Sequence, residues 1–97
     1  MKLVRDKIPE IMKAKEQEVH MHIATEEEYK KFLEAKLREE VAEYIADKSP
    51  DELADILEVL YTLAKQAGIT PEQLEQKRRK KWEERGGFDK RIILEKW

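Results

Sequence analysis

Apolar residues return at three- and four-residue steps through much of this chain, and the interruptions of that rhythm mark where helices start and stop. From Thr25 onward, Leu33, Leu37, Val41, Tyr44 and Ile45 recur on one side of a helix. Thr25 precedes Glu28 by the three residues of a capping box. The run ends at Asp47-Lys48-Ser49-Pro50, where Ser49 is placed to cap a second helix with Pro50 at its first position. That helix carries a stripe of Leu53, Ile56, Leu60 and Leu63, and it continues to about Ala67 before Gly68 stops it. A third begins at Thr70-Pro71, again with capping spacing to Gln73, and ends at Gly86-Gly87. Ahead of these, Met1 to Glu18 starts extended and becomes a short helix from Pro9. Val19 to Ala24 alternates apolar residues with His20 and His22, which predicts a short extended piece, and Phe88 to Trp97 reads as an extended tail. The expected fold is all-α: an antiparallel helix hairpin plus a third long helix, in a single domain over 1–97.

Length and composition narrow the picture. With 97 residues the core is modest, so self-association is a natural way to bury more surface. Charged residues make up 43% of the chain, yet the formal net charge is only -2. Acids and bases are interleaved, so the balance predicts neither a nucleic-acid nor a membrane partner. There is no cysteine, hence neither a disulfide framework nor a thiolate metal site. No apolar run approaches the ~20 residues that span a bilayer, and nothing resembles a signal peptide, so the expected location is cytoplasmic.

Four acids at two short spacings carry the candidate chemistry: Glu40 with Glu43, and Glu52 with Asp55. Residues three apart share a helix face, so each pair projects its carboxylates in nearly one direction. At ~100° per residue, Glu52 falls between Val59 and Leu63, inside the apolar stripe, with Asp55 ~60° further round. Glu40 borders Leu33 and Leu37, while Asp51 and Glu58 point to the opposite side, as ordinary solvated residues do. A carboxylate drawn into an apolar stripe must be paired, protonated or bound to metal. Glu52 has a rival role, because it follows Ser49 by three residues and would complete a capping box. With a rise of ~1.5 Å per residue from the turn, Glu52 and Glu43 lie ~5 and ~8 Å along their helices, and Asp55 and Glu40 ~10 and ~13 Å. Helix axes in contact are ~8–10 Å apart, so all four can meet around one or two cations. Oxygen-only sites of this kind suit Mg²⁺ or Mn²⁺. Glu39 points ~100° away from Glu40 and is placed to orient water or support a ligand.

The third long helix is basic. Lys77, Arg78, Arg79, Lys80 and Lys81 are consecutive, with Arg85 beyond. Arg78, Lys81 and Arg85 follow Leu74 on one stripe rather than a ring, so they form a candidate phosphate-binding set. Cations opposite a metal neutralise charge that develops on a leaving phosphate. A five-residue basic run is also what a plain solvated face looks like, and Trp82 beside it reads first as a packing residue. Arg5 and Lys7 are further cations within reach of an anion, without a geometric reason to choose them. His20 and His22 have no third ligand at a recognisable spacing. No P-loop or glycine fingerprint is present.

Glu39-Glu40-Val41-Ala42-Glu43 followed by Glu52-Leu53-Ala54-Asp55 resembles the EExxE…ExxD signature of the all-α nucleoside triphosphate pyrophosphohydrolases, the MazG-like superfamily. The opening Lys2-Leu3-Val4-Arg5-Asp6-Lys7-Ile8-Pro9 and the late Arg85-Gly86-Gly87-Phe88 resemble a small branch of it, described as phosphoribosyl-ATP pyrophosphohydrolase-like. The resemblance covers nearly the whole chain. It implies Mg²⁺-dependent cleavage between the α- and β-phosphates of a nucleoside triphosphate, giving a monophosphate and pyrophosphate. It implies Glu40, Glu43, Glu52 and Asp55 as metal ligands, and Lys81 and Arg85 as a phosphate-contacting pair. It also implies a homodimer or higher homo-oligomer in which helices from two subunits complete a four-helix bundle. The interval from Glu43 to Glu52 is shorter than the usual signature, and Arg79 or its neighbours stand where an Asn often precedes the basic element. Two alternatives accompany this expectation. One is phosphoribosyl-ATP as the substrate of the same chemistry; the other is a non-enzymatic helical interaction module that uses the basic run.

Overall fold

Four helices form, each with boundaries that its own end residues explain. The computed structural model describes all 97 residues and contains α1 (Ile8–Ala14), α2 (Glu26–Asp47), α3 (Pro50–Gln66) and α4 (Pro71–Arg85). Thr25 and Thr70 each accept a hydrogen bond from the N–H three residues on, and Glu28 and Gln73 return the bond to the cap N–H, so both capping boxes are complete. At the end of α3 the Ile69 N–H reaches back to the Ala64 carbonyl while Gly68 adopts φ +82°. That left-handed turn is open to glycine at little cost, and it stops the helix. Lys48 takes the same left-handed region, φ +57°, where only Lys48 and Ser49 separate α2 from α3.

No strand forms. Val19–Ala24 and the tail beyond Gly87 are irregular, so the extended piece expected between α1 and α2 pairs with nothing. Alternation of apolar and polar residues makes a strand only where a neighbour supplies the ladder.

The chain folds as two compact units, Met1–Leu60 and Tyr61–Trp97, with α3 beginning in the first and ending in the second. Leu33 is the one side chain of the first unit that is fully enclosed, 2% exposed, and Val59 is buried in the same unit. Much of the apolar surface of α2 and α3 stays in solvent. Val41 and Ile45 on α2 are exposed, as are Leu53, Leu57 and Leu60 on α3, with Ile45 60% and Leu53 50% exposed. Two of the four leucine and isoleucine positions read as the α3 core therefore face outward. A helix wheel gives the width of an apolar arc but not which edge of it meets a neighbour.

Candidate metal centre

The inward face of the first part of α3 is not the leucine stripe. It is Glu52, Asp55, Ile56 and Val59, at steps i, i+3, i+4 and i+7. Val59 is buried and the other three are half-buried, so two carboxylates share a line with apolar contacts. Glu40 comes to the same place from α2. It is only 6% exposed and is the one buried charged residue of the chain. One carboxylate oxygen from each of Glu40, Glu52 and Asp55 lies within 4.8 Å of the other two.

Three carboxylates in this arrangement are costly unless something compensates them. Two oxygens are left over: Glu40 Oε2 and Glu52 Oε2 are buried and have no hydrogen-bond partner. The capping role that competes for Glu52 does not absorb it. The Ser49 hydroxyl accepts from the Asp51 N–H instead, at 3.2 Å. Burial raises the pKa of Glu40 above the ordinary carboxylate value; a hydrogen bond from Lys36 opposes this, and the charges of Glu43 and Asp55 add to the rise.

Cations of the chain border the cluster. Lys36 Nζ lies 3.1 Å from Glu39 Oε2 and 3.3 Å from Glu40 Oε1. Burial disfavours the Lys36 ammonium, but Glu39 and Glu40 outweigh it and raise its pKa. Lys36 also lowers the pKa of Glu39, helped by Lys2, whose ammonium is 3.7 Å away. Arg5 Nη2 donates to Asp55 Oδ1 at 2.7 Å.

Of the acids singled out in the sequence, Glu40, Glu52 and Asp55 therefore converge. Glu43 is exposed and stands outside the converging set, felt by Glu40 only through its charge. Glu39 is held by Lys36 and Lys2 beside the cluster. On α4, Arg78, Lys81 and Arg85 are all exposed, and Arg78 forms a two-point ion pair with Glu75. His20 and His22 each lie 3.1 Å from a different acid, Glu18 and Glu28. Lys36 was not singled out by sequence, although its four-residue spacing to Glu40 is a readable pairing signal. Arg5 had no such signal, because its partner is 50 residues away.

The donor set is carboxylate oxygen throughout, and two buried oxygens of its residues have no hydrogen-bond partner. That matches a hard divalent cation such as Mg²⁺ or Mn²⁺ and excludes a soft-metal preference. No helix is long and apolar enough to cross a membrane. No family model, no curated protein and no solved structure matches this chain.

Proposed function

We propose that this protein is a divalent-metal-dependent nucleoside triphosphate pyrophosphohydrolase of the MazG-like kind, cleaving the α–β phosphoanhydride to a nucleoside monophosphate and pyrophosphate. One observation carries the reading: Glu40, Glu52 and Asp55 converge to within 4.8 Å while buried oxygens of Glu40 and Glu52 lack partners. A folded chain retains such a cluster at a cost, and a ligand removes that cost. Within it, Glu40, Glu52 and Asp55 hold Mg²⁺ or Mn²⁺, with Glu43 joining from its neighbouring turn. The cation supplies charge neutralisation on the phosphate oxygens. Lys36 keeps Glu40 and Glu39 in place, and Glu39 orients the attacking water. On α4, Lys81 and Arg85 are exposed and are the cations that the resemblance assigns to phosphate, while Arg78 is engaged by Glu75.

The same reading includes self-association. Val41, Ile45, Leu53, Leu57 and Leu60 present apolar surface from adjoining helices of one unit. A second copy of the chain, laid on that face, would complete a four-helix bundle. Nucleotide house-cleaning fits a cytoplasmic enzyme of this size. A pyrophosphate-release screen over ordinary and damaged (d)NTPs and phosphoribosyl-ATP, with and without Mg²⁺, tests the proposal. Metal-dependent pyrophosphate release from at least one of these is expected. Release from none, at any metal concentration, refutes it.

A further inference from the structure

Arg5 belongs to two places at once. Its guanidinium bonds Asp55 in the acid cluster, and the residue also lines a cleft of about 870 Å³ in the Met1–Leu60 unit. The cleft is walled by the irregular opening segment, by α1, by Val19–Ala24 and by Tyr29 and Phe32 of α2. Its volume lies in the range of small-molecule sites, roughly 300–1,000 Å³. The walls combine two aromatic rings, the thioethers of Met12 and Met21 and the imidazoles of His20 and His22. Flat π-systems and polarizable sulfur suit the face of a nucleobase, and imidazole edges suit its hydrogen-bonding rim. His22 is held by Glu28 at 3.1 Å, and that carboxylate is fixed in turn by the capping box of α2, so one polar edge is already oriented.

We infer that this cleft receives the nucleoside end of the phosphate substrate, and that Arg5 at its exit binds the phosphate chain, exchanging Asp55 for a phosphate oxygen. The inference rests on the pyrophosphohydrolase reading of the acid cluster. A guanidinium binds carboxylate and phosphate with the same planar fork, so the exchange conserves its hydrogen bonds. It also releases Asp55 Oδ1 from the guanidinium. The opening segment, singled out in the sequence without a role, thereby becomes the link between base recognition and phosphate chemistry.

All three methionines of the chain line the cleft, so ¹³C-methyl-methionine spectra report on it directly. The experiment titrates the full-length protein, in Mg²⁺, with an α,β-methylene nucleoside triphosphate and, separately, with methylenediphosphonate, which has no base. The nucleotide is expected to move the Met12 and Met21 methyls, and methylenediphosphonate to leave them in place. Arg5→Ala is expected to weaken both ligands by about tenfold or more, the loss of a charge-assisted hydrogen bond. Tyr29→Ala is expected to weaken the nucleotide alone, with circular dichroism confirming that both variants fold. Nucleotide binding that depends on Mg²⁺ and is lost in Glu52→Gln, yet leaves the methyls unmoved, overturns the cleft assignment and leaves the enzymatic reading standing. Methyl shifts that follow protein concentration instead of ligand overturn it in favour of a second copy. Mn²⁺ binding, read by electron paramagnetic resonance, that is absent or indifferent to Glu52→Gln removes the enzymatic reading and this inference together.

Discussion

The inner ends of α2 and α3 and the middle of α4 are both dense in charge, yet the structure treats them in opposite ways. On α4 every basic side chain is in solvent, and Arg78 satisfies itself with Glu75 one turn away. In the first unit Glu40 is enclosed, and it and Glu52 each keep a buried oxygen without a partner. Water screens the first group at almost no cost, whereas the second group raises the free energy of the fold that contains it. The lesson is that charge density says little about a site. Charge held where it is unfavourable says much more, because the fold retains it against a free-energy cost.

That contrast breaks most visibly in activity. Glu40→Gln or Asp55→Asn should lower metal-dependent pyrophosphate release by more than the roughly 10–100-fold typical of residues that merely support ligands. Lys80→Ala on α4 should leave the rate near wild type in the same assay. Equal losses in all three would mean that the two regions do not differ in kind.

Next in size is the response to metal. If the cluster is a binding site, Mn²⁺ at a hundred times its dissociation constant should stabilise the fold by about 2.7 kcal/mol. Thermal melts should show the shift in wild type and not in Glu52→Gln. An equal shift in both proteins would place the ion elsewhere.

A smaller effect has the opposite sign. Without metal, Glu40→Met should raise stability by about 1 kcal/mol, since it removes a buried unpartnered oxygen and leaves Lys36 its pair with Glu39. The pH dependence follows from the raised pKa of Glu40. A carboxyl that is harder to ionise when folded contributes fully below its unfolded value of 4.5, and that contribution is lost as pH rises through the folded value. The advantage of Glu40→Met should therefore grow from pH 4 to pH 7 in melts recorded without metal. Smallest of all is Arg78→Ala, which removes an exposed pair on α4 and should leave the melting midpoint unchanged.

Helix ends were the most legible feature of the chain. Thr25 with Glu28, Thr70 with Gln73, Gly68 and Gly86 act through neighbours a few residues away, so local sequence contains the whole interaction. Of the four acids expected to meet, Glu40, Glu52 and Asp55 do and Glu43 stays exposed: two regular rods and a tight joint leave few ways to place the side chains, but the helix rotation that excludes Glu43 is not written in its spacing. The side of α3 that turns inward was harder. Leu53 and Leu60 are as apolar as Val59, and only the position of α2 decides between them. Least legible was Arg5, whose bond to Asp55 crosses an irregular segment with no periodicity to extrapolate. The histidines illustrate the same limit, since their alternation is plain in sequence while the acid that each one pairs with, Glu18 or Glu28, is not.

The two-residue joint at Lys48-Ser49 also bears on how quickly the acid cluster can assemble. Its outermost members, Glu40 and Asp55, are fifteen positions apart, so closing them against each other sacrifices little chain entropy. Contacts of such short range form early, on the timescale of helices finding their nearest neighbours. Repulsion among the acids then opposes the first association of α2 with α3, and a divalent cation would relieve it during refolding if the cluster is the proposed metal site. On the proposed metal reading, the ion would thus serve as a folding accelerant for the nascent hairpin before any substrate is met.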